Sequence, residues 1–159
     1  MRSDLSFVLL LAMASIAPAA SAEEPSSEEV DAAVRSMRET ADETFASSWR
    51  KYGDQAARDG VSPTQIRQWS LWMMMGYSLG VCHQTVSGTL MADWLAAIDT
   101  LGFRSKLIGT PSYRFVEEGN RIVEFGRSNA PEEPPGTAAY DDFCKRDIAA
   151  VQRILASSF

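Results

Sequence analysis

The sequence predicts an all-α domain: a small helical bundle of four or five helices around a central buried helix, closed by one disulfide. Three observations lead there. Residues 62–82, SPTQIRQWSLWMMMGYSLGVC, are apolar or small at nearly every position from Trp69 onward, and a helix with no polar face must be covered on all sides or lie in lipid. Ser70, Gly76, Ser78 and Gly80 interrupt this run, and it falls short of the roughly 20 apolar residues that span a bilayer, so it reads as a core helix. Segments on both sides of it repeat apolar residues at helical spacing. Finally, the chain has two cysteines, Cys82 in this helix and Cys144 near the far end.

Taken in order, residues 1–22 read as a secretory signal. Arg2 supplies a positive start that Asp4 dilutes, residues 7–16 are apolar, and Ala20-Ser21-Ala22 is a small-x-small cleavage site, predicting a mature start at Glu23. The apolar run is too short for a membrane anchor. No cysteine follows the cleavage site, which argues against a lipid anchor there. The remaining 23–159 is expected to be one exported domain, periplasmic, with no stable membrane insertion after cleavage. Its length suits a single domain with a real core.

Ser26 and Glu29 form an S-x-x-E capping box. The stripe Val30, Val34, Met37, Ala41, Phe45 and Tyr52, with Trp49 on its flank, then marks one face of a long helix. Glu28, Glu29 and Asp31 near its start and Arg50 and Lys51 near its end suit the helix dipole. Gly53 reads as its stop, and 54–60 as a polar connection. Ser62, Pro63 and Gln65 supply the cap, first position and capping box of the central helix, which is expected to run to about Val86. Within it Gly76 and Gly80 leave a flat strip where another backbone can approach. After Ser87-Gly88-Thr89, the stripe Leu90, Met91, Trp94, Leu95, Ile98 and Leu101 marks a third helix ended by Gly102.

Residues 113–125, YRFVEEGNRIVEF, read two ways. Glu118-Gly119-Asn120 would serve as the turn of a short β-hairpin. Alternatively, Thr110-Pro111 starts a helix whose face is Phe115, Val116, Gly119, Ile122 and Val123. The helix is preferred, because an isolated hairpin is marginal in water. Residues 127–136, RSNAPEEPPG, read as a loop. Residues 140–155 read as the last helix, capped by Thr137, with Cys144, Ile148, Val151 and Leu155 on its buried face. In an oxidising compartment two cysteines most simply pair. Closing a loop of about sixty residues stabilises a fold by about 4 kcal/mol in the chain-entropy account.

The functional signal is thinner. A formal charge of −6 argues against nucleic acid, which wants a clustered basic face. Cys82-His83 resembles a nucleophile and its base, but neighbours on a helix diverge by about 100°, and a bridged sulfur cannot attack. His83 is the one histidine in the chain, which excludes a two-histidine metal site. Met73, Met74 and Met75 fan around a helix and cannot converge on one ion. Without a C-x-x-C-H there is no covalent haem attachment, and neither a metal nor another cofactor is expected.

Two sites remain as candidates. One is an interaction loop carrying Arg127, Glu132 and Glu133. The other is a pocket lined by Trp69, Trp72, Trp94 and His83. The expected function is a protein-binding module with a partner in the cell envelope, of the inhibitor or immunity type. The alternatives are a binder of a small apolar ligand and a carboxylate-dependent enzyme using residues such as Asp141 or Glu117.

Overall fold

The computed structural model describes residues 24–130 and 136–158. The expected signal segment lies outside them. Six α-helices and one 3-10 turn follow one another: α1 Ser27–Arg58, α2 Pro63–Val81, α3 Gly88–Thr100, α4 Phe103–Leu107, the turn Pro111–Tyr113, α5 Arg114–Ser128 and α6 Ala138–Ser158. No strand occurs among the described residues. The sixth helix, beyond the four or five expected, is the five-residue α4.

Local chemistry sets most of the boundaries. Both capping boxes form: Ser26 with Glu29, and Ser62 with Gln65. Gln65 also donates to the Leu101 carbonyl at 2.9 Å, tying the start of α2 to the end of α3. Of residues 113–125, Tyr113 closes the 3-10 turn and 114–125 belong to α5 and not to a hairpin; Gly119 is where α5 meets the ring of Trp72.

Three expected boundaries are wrong. α5 continues through Arg127 to Ser128, so these two residues are helical and do not belong to the expected loop 127–136. α1 runs through Gly53 to Arg58. Gly53 is buried beneath the Trp49 ring, which leaves no room for a side chain, and the buried stripe continues to Ala56. The helix stops instead before Gly60, whose φ of 77° is open to glycine at little cost. α2 ends at Val81 rather than Val86. The Cys82 carbonyl accepts from the N–H groups of Thr85 and Val86 and from the Thr85 hydroxyl, which turns the chain. Ser87 is then left to cap α3 through the Leu90 N–H.

α2 is the centre, in contact with α1, α3, α5 and α6. Against α3 it is locked by a reciprocal pair. Trp72 and Trp94 stack with ring centroids 4.3 Å apart and planes 6° from parallel. Each indole N–H donates to the other residue's carbonyl, at 2.7 and 2.8 Å. Both N–H groups are thereby satisfied without water, as buried donors must be.

Against α5 the contact is closer. The Trp69 N–H donates to the Phe115 carbonyl, Trp72 lies on Gly119, Ile122 on Gly76, and Gly80 on the backbone of Val123 and Gly126. These pairs step along both helices in the same direction, so α2 and α5 run parallel. Of the glycine strip expected at Gly76 and Gly80, Gly80 does admit a second backbone, while the space at Gly76 is taken by the Trp94 and Ile122 side chains.

α6 packs against α1, α2 and α3. Cys82 and Cys144 are bonded, with Cα atoms 5.4 Å apart, and both are buried. Beside the bridge the Tyr140 hydroxyl donates to the Val81 carbonyl at 2.8 Å. Further along, Arg153 pairs with Asp31 of α1.

Candidate interaction surface

The residues proposed as a pocket are not together. Trp69, Trp72 and Trp94 are 2%, 1% and 1% exposed. The rings of Trp72 and Trp94 fill the space that Gly119 and Gly76 leave, and Trp69 packs edge-on against Phe115, so they form packed core and not the wall of a pocket. His83 is exposed just past the end of α2, with Nδ1 3.1 Å from the Gly80 carbonyl. That is about three turns, or about 16 Å, along the axis from Trp72. Periodicity in the sequence identified an apolar face correctly but could not say whether helix or ligand covers it.

The expected interaction loop is only partly in view. Arg127 lies in the last turn of α5, exposed and 3.4 Å from Glu124. Glu132 and Glu133 fall outside the described residues. Of the carboxylates considered for catalysis, Glu117 is exposed on α5, while Asp141 accepts a hydrogen bond from the Gly136 N–H at the start of α6. Among the described residues no three of His, Cys, Asp and Glu gather. None of the described helices is long and apolar enough to cross a membrane.

Several openings border α6, and two of them lie on opposite sides of it. The larger, about 670 Å³, runs between α3 and the end of α6. Leu90 and Ala97 form its floor, and Ala96, Leu155 and Ala156 its sides. Asp93 is the one ionisable residue that lines it. Seven of its lining residues, Ser87, Thr89, Asp93, Ala96, Thr100, Gln152 and Ala156, are exposed, so it is an open groove.

The smaller, about 400 Å³, lies between α1 and α6. Ala32, Ala33, Met37 and Phe143 supply apolar walls, with Glu29, Ser36, Arg146 and Asp147 beside them. Helical geometry explains why one helix borders both: Phe143, Arg146 and Asp147 share one side of α6, and Gln152, Leu155 and Ala156 another.

Asp147 is the one charged residue in the buried class among those described, 8% exposed. The Ser78 hydroxyl of α2 donates to its Oδ2 at 3.0 Å. Its Oδ1 has only Nε and Nη2 of the neighbouring Arg146, both at 3.4 Å. Burial therefore holds the Asp147 carboxyl above the usual range, against the opposing effects of Ser78 and Arg146. Glu29 behaves in the opposite way. Hydrogen bonds from the Ser26 hydroxyl and N–H keep its carboxyl below the usual range.

Asp147 escaped the sequence reading. A signal for it exists, because it falls on the apolar face that also carries Cys144, Ile148 and Val151. Ser78 likewise breaks an apolar run on α2. One polar residue on each of two buried faces is the mark of a buried hydrogen-bonded pair.

What fold and site define together is a class: a disulfide-bonded helical bundle whose openings lie on either side of its last helix. In comparison with known proteins, no family model, curated protein or solved structure matches the chain.

Proposed function

We propose that the chain is an exported protein that acts by binding another protein, in the manner of an inhibitor or immunity protein of the cell envelope. The observation that carries this reading is the open groove between α3 and α6. Its apolar floor and small side walls suit an amphipathic partner helix laid between two helices. Charge supports a partner of basic character. Asp93 lines the groove, and the chain carries −6 overall, with Arg2 and Asp4 of the expected signal cancelling each other. The buried disulfide is compatible with an oxidising compartment.

A photo-crosslinking amino acid tests the reading. Placed at Ala96 or Ala156 in the secreting cells, it is expected to trap one protein, while the same residue at exposed Ala46 on α1 traps none. Crosslinks that are absent at the groove, or equal at all three positions, overturn it. Recovery of the product in the periplasm with Glu23 as its first residue checks the export step, and an uncleaved cytoplasmic product refutes it.

A further inference from the structure

The cleft between α1 and α6 has a chemistry that its role in packing does not require. At its edge lies a carboxylate removed from water and given one short hydrogen bond, from Ser78. A carboxylate has room for about four. Burying such a charge is costly unless it is well paired, and the available pairing is poor. Both Arg146 contacts, at 3.4 Å, are longer than the roughly 2.7–2.9 Å of a good charge-assisted bond. An asparagine at this position would keep the Ser78 bond with no charge to bury. The charge is therefore not needed to hold α6 on α2, and what it faces is the cleft.

The walls narrow the kind of guest. Ala33, Met37 and Phe143 offer apolar surface leading to Asp147, which is the environment that methylene stems of cationic side chains prefer. Arg146 already occupies the position a cation would take. Its charge acts on both Glu29 and Asp147, its guanidinium lies 5.3 Å from the centre of the Phe143 ring, and its side chain is 40% exposed. It is an internal stand-in, held to Asp147 only by long contacts.

We infer that this cleft receives an ammonium or guanidinium group on an alkyl stem, supplied by a lysine or arginine side chain of the protein partner, which displaces Arg146 from Asp147. The inference rests on the partner reading above and deepens it: the partner spans α6, with a helix in the groove on one flank and a cationic side chain in the cleft on the other.

The test needs no partner. Butylguanidinium chloride is titrated into the oxidised protein and followed by backbone amide resonances. Saturable shifts are expected at Ser36, Met37, Phe143 and Asp147, with butanol producing none. Asp147→Asn is expected to weaken binding by about tenfold or more, in line with loss of a buried charge partner. Arg146→Gln is expected to tighten it, because the internal competitor is gone. Absence of a saturable response at the cleft overturns the inference, as does a response that Asp147→Asn leaves intact. Weaker binding in Arg146→Gln also overturns it, since Arg146 would then be part of the site; this arm decides the matter if Asp147→Asn fails to fold. Native mass spectrometry of the protein recovered from its own cells distinguishes the source of the cation. A retained small amine assigns the cleft to a metabolite and overturns the partner assignment. Failure here with successful crosslinking at Ala96 removes the cleft alone, and the reverse outcome removes the groove alone.

Discussion

α5 and α6 both lie on α2, yet they are attached by opposite means. α5 meets α2 through glycine. Gly80 touches the backbone of Val123 and Gly126, and Gly126 touches that of Tyr77 and Gly80, so the two helices approach as closely as main chains allow. α6 is held by side chains: the Cys82–Cys144 bridge, the Tyr140 hydroxyl on Val81 and the Ser78 hydroxyl on Asp147. Backbone contact leaves no space between helices. Side-chain contact holds α6 at greater reach, and both openings border α6. The difference teaches where to look for function: on the helix that is tethered and not on the one that is sealed in.

The largest way to break this contrast is to remove the tether. Cys82→Ser with Cys144→Ser is expected to lower stability by about 4 kcal/mol, read from the denaturant midpoint. The loss of amide-exchange protection should concentrate in α6 while the α2–α5 seam stays protected. Equal loss in both would mean that the two attachments are one cooperative unit.

Next in size is the seam itself. Gly80→Ala places a methyl group against the Val123 carbonyl and within 3.0 Å of the Gly126 Cα. Backbone cannot yield as a side chain can, so destabilisation of about 3 kcal/mol or more is expected. Gly88→Ala, in open space at the start of α3, is the control and should change stability by no more than about 0.5 kcal/mol. Similar midpoints for the two variants would refute close backbone packing.

The smallest effects are expected in the pH dependence, and they have opposite signs. Asp147 has its carboxyl raised by burial, so between its unfolded and folded pKa values the folded state binds more protons. Its contribution to stability therefore falls as pH rises through that window. Asp147→Asn should raise Tm at neutral pH, with the gain vanishing in acid. Asp59 is lowered, chiefly by the hydrogen bond from the Ser112 hydroxyl. Its contribution is present above the unfolded pKa and lost as pH falls through the folded one. Ser112→Ala should thus lower Tm at neutral pH and matter progressively less in acid. Parallel Tm-versus-pH curves for wild type and both variants would contradict both assignments.

Much of the fold was legible because it follows from local rules. The capping residues Ser26 and Ser62 and the apolar stripes of the long helices need only neighbours in sequence to be read. The close backbone approach expected at Gly76 and Gly80 occurs at Gly80, while at Gly76 the absent side chain makes room for Trp94 and Ile122 instead. Gly53 misled because a glycine beneath an indole and a glycine at a helix end have the same letter. The tryptophan pocket failed for a related reason: three buried rings look alike in sequence whether helix or ligand covers them. The groove and the cleft were not legible, as each joins segments far apart in the chain. Asp147 was missed although it left a signal, a charge on a face that should carry none.

The bridge has a topological consequence. Its two sulfurs come from either side of the connection between α5 and α6. A protease that hydrolysed one peptide bond there would not release the terminal fragment. The nicked product would remain a single covalent molecule under non-reducing conditions and separate into two bands once thiol is added. Until then its last helix would stay docked at high effective concentration, and the molecule would tolerate damage at that point that an unbridged bundle would not survive.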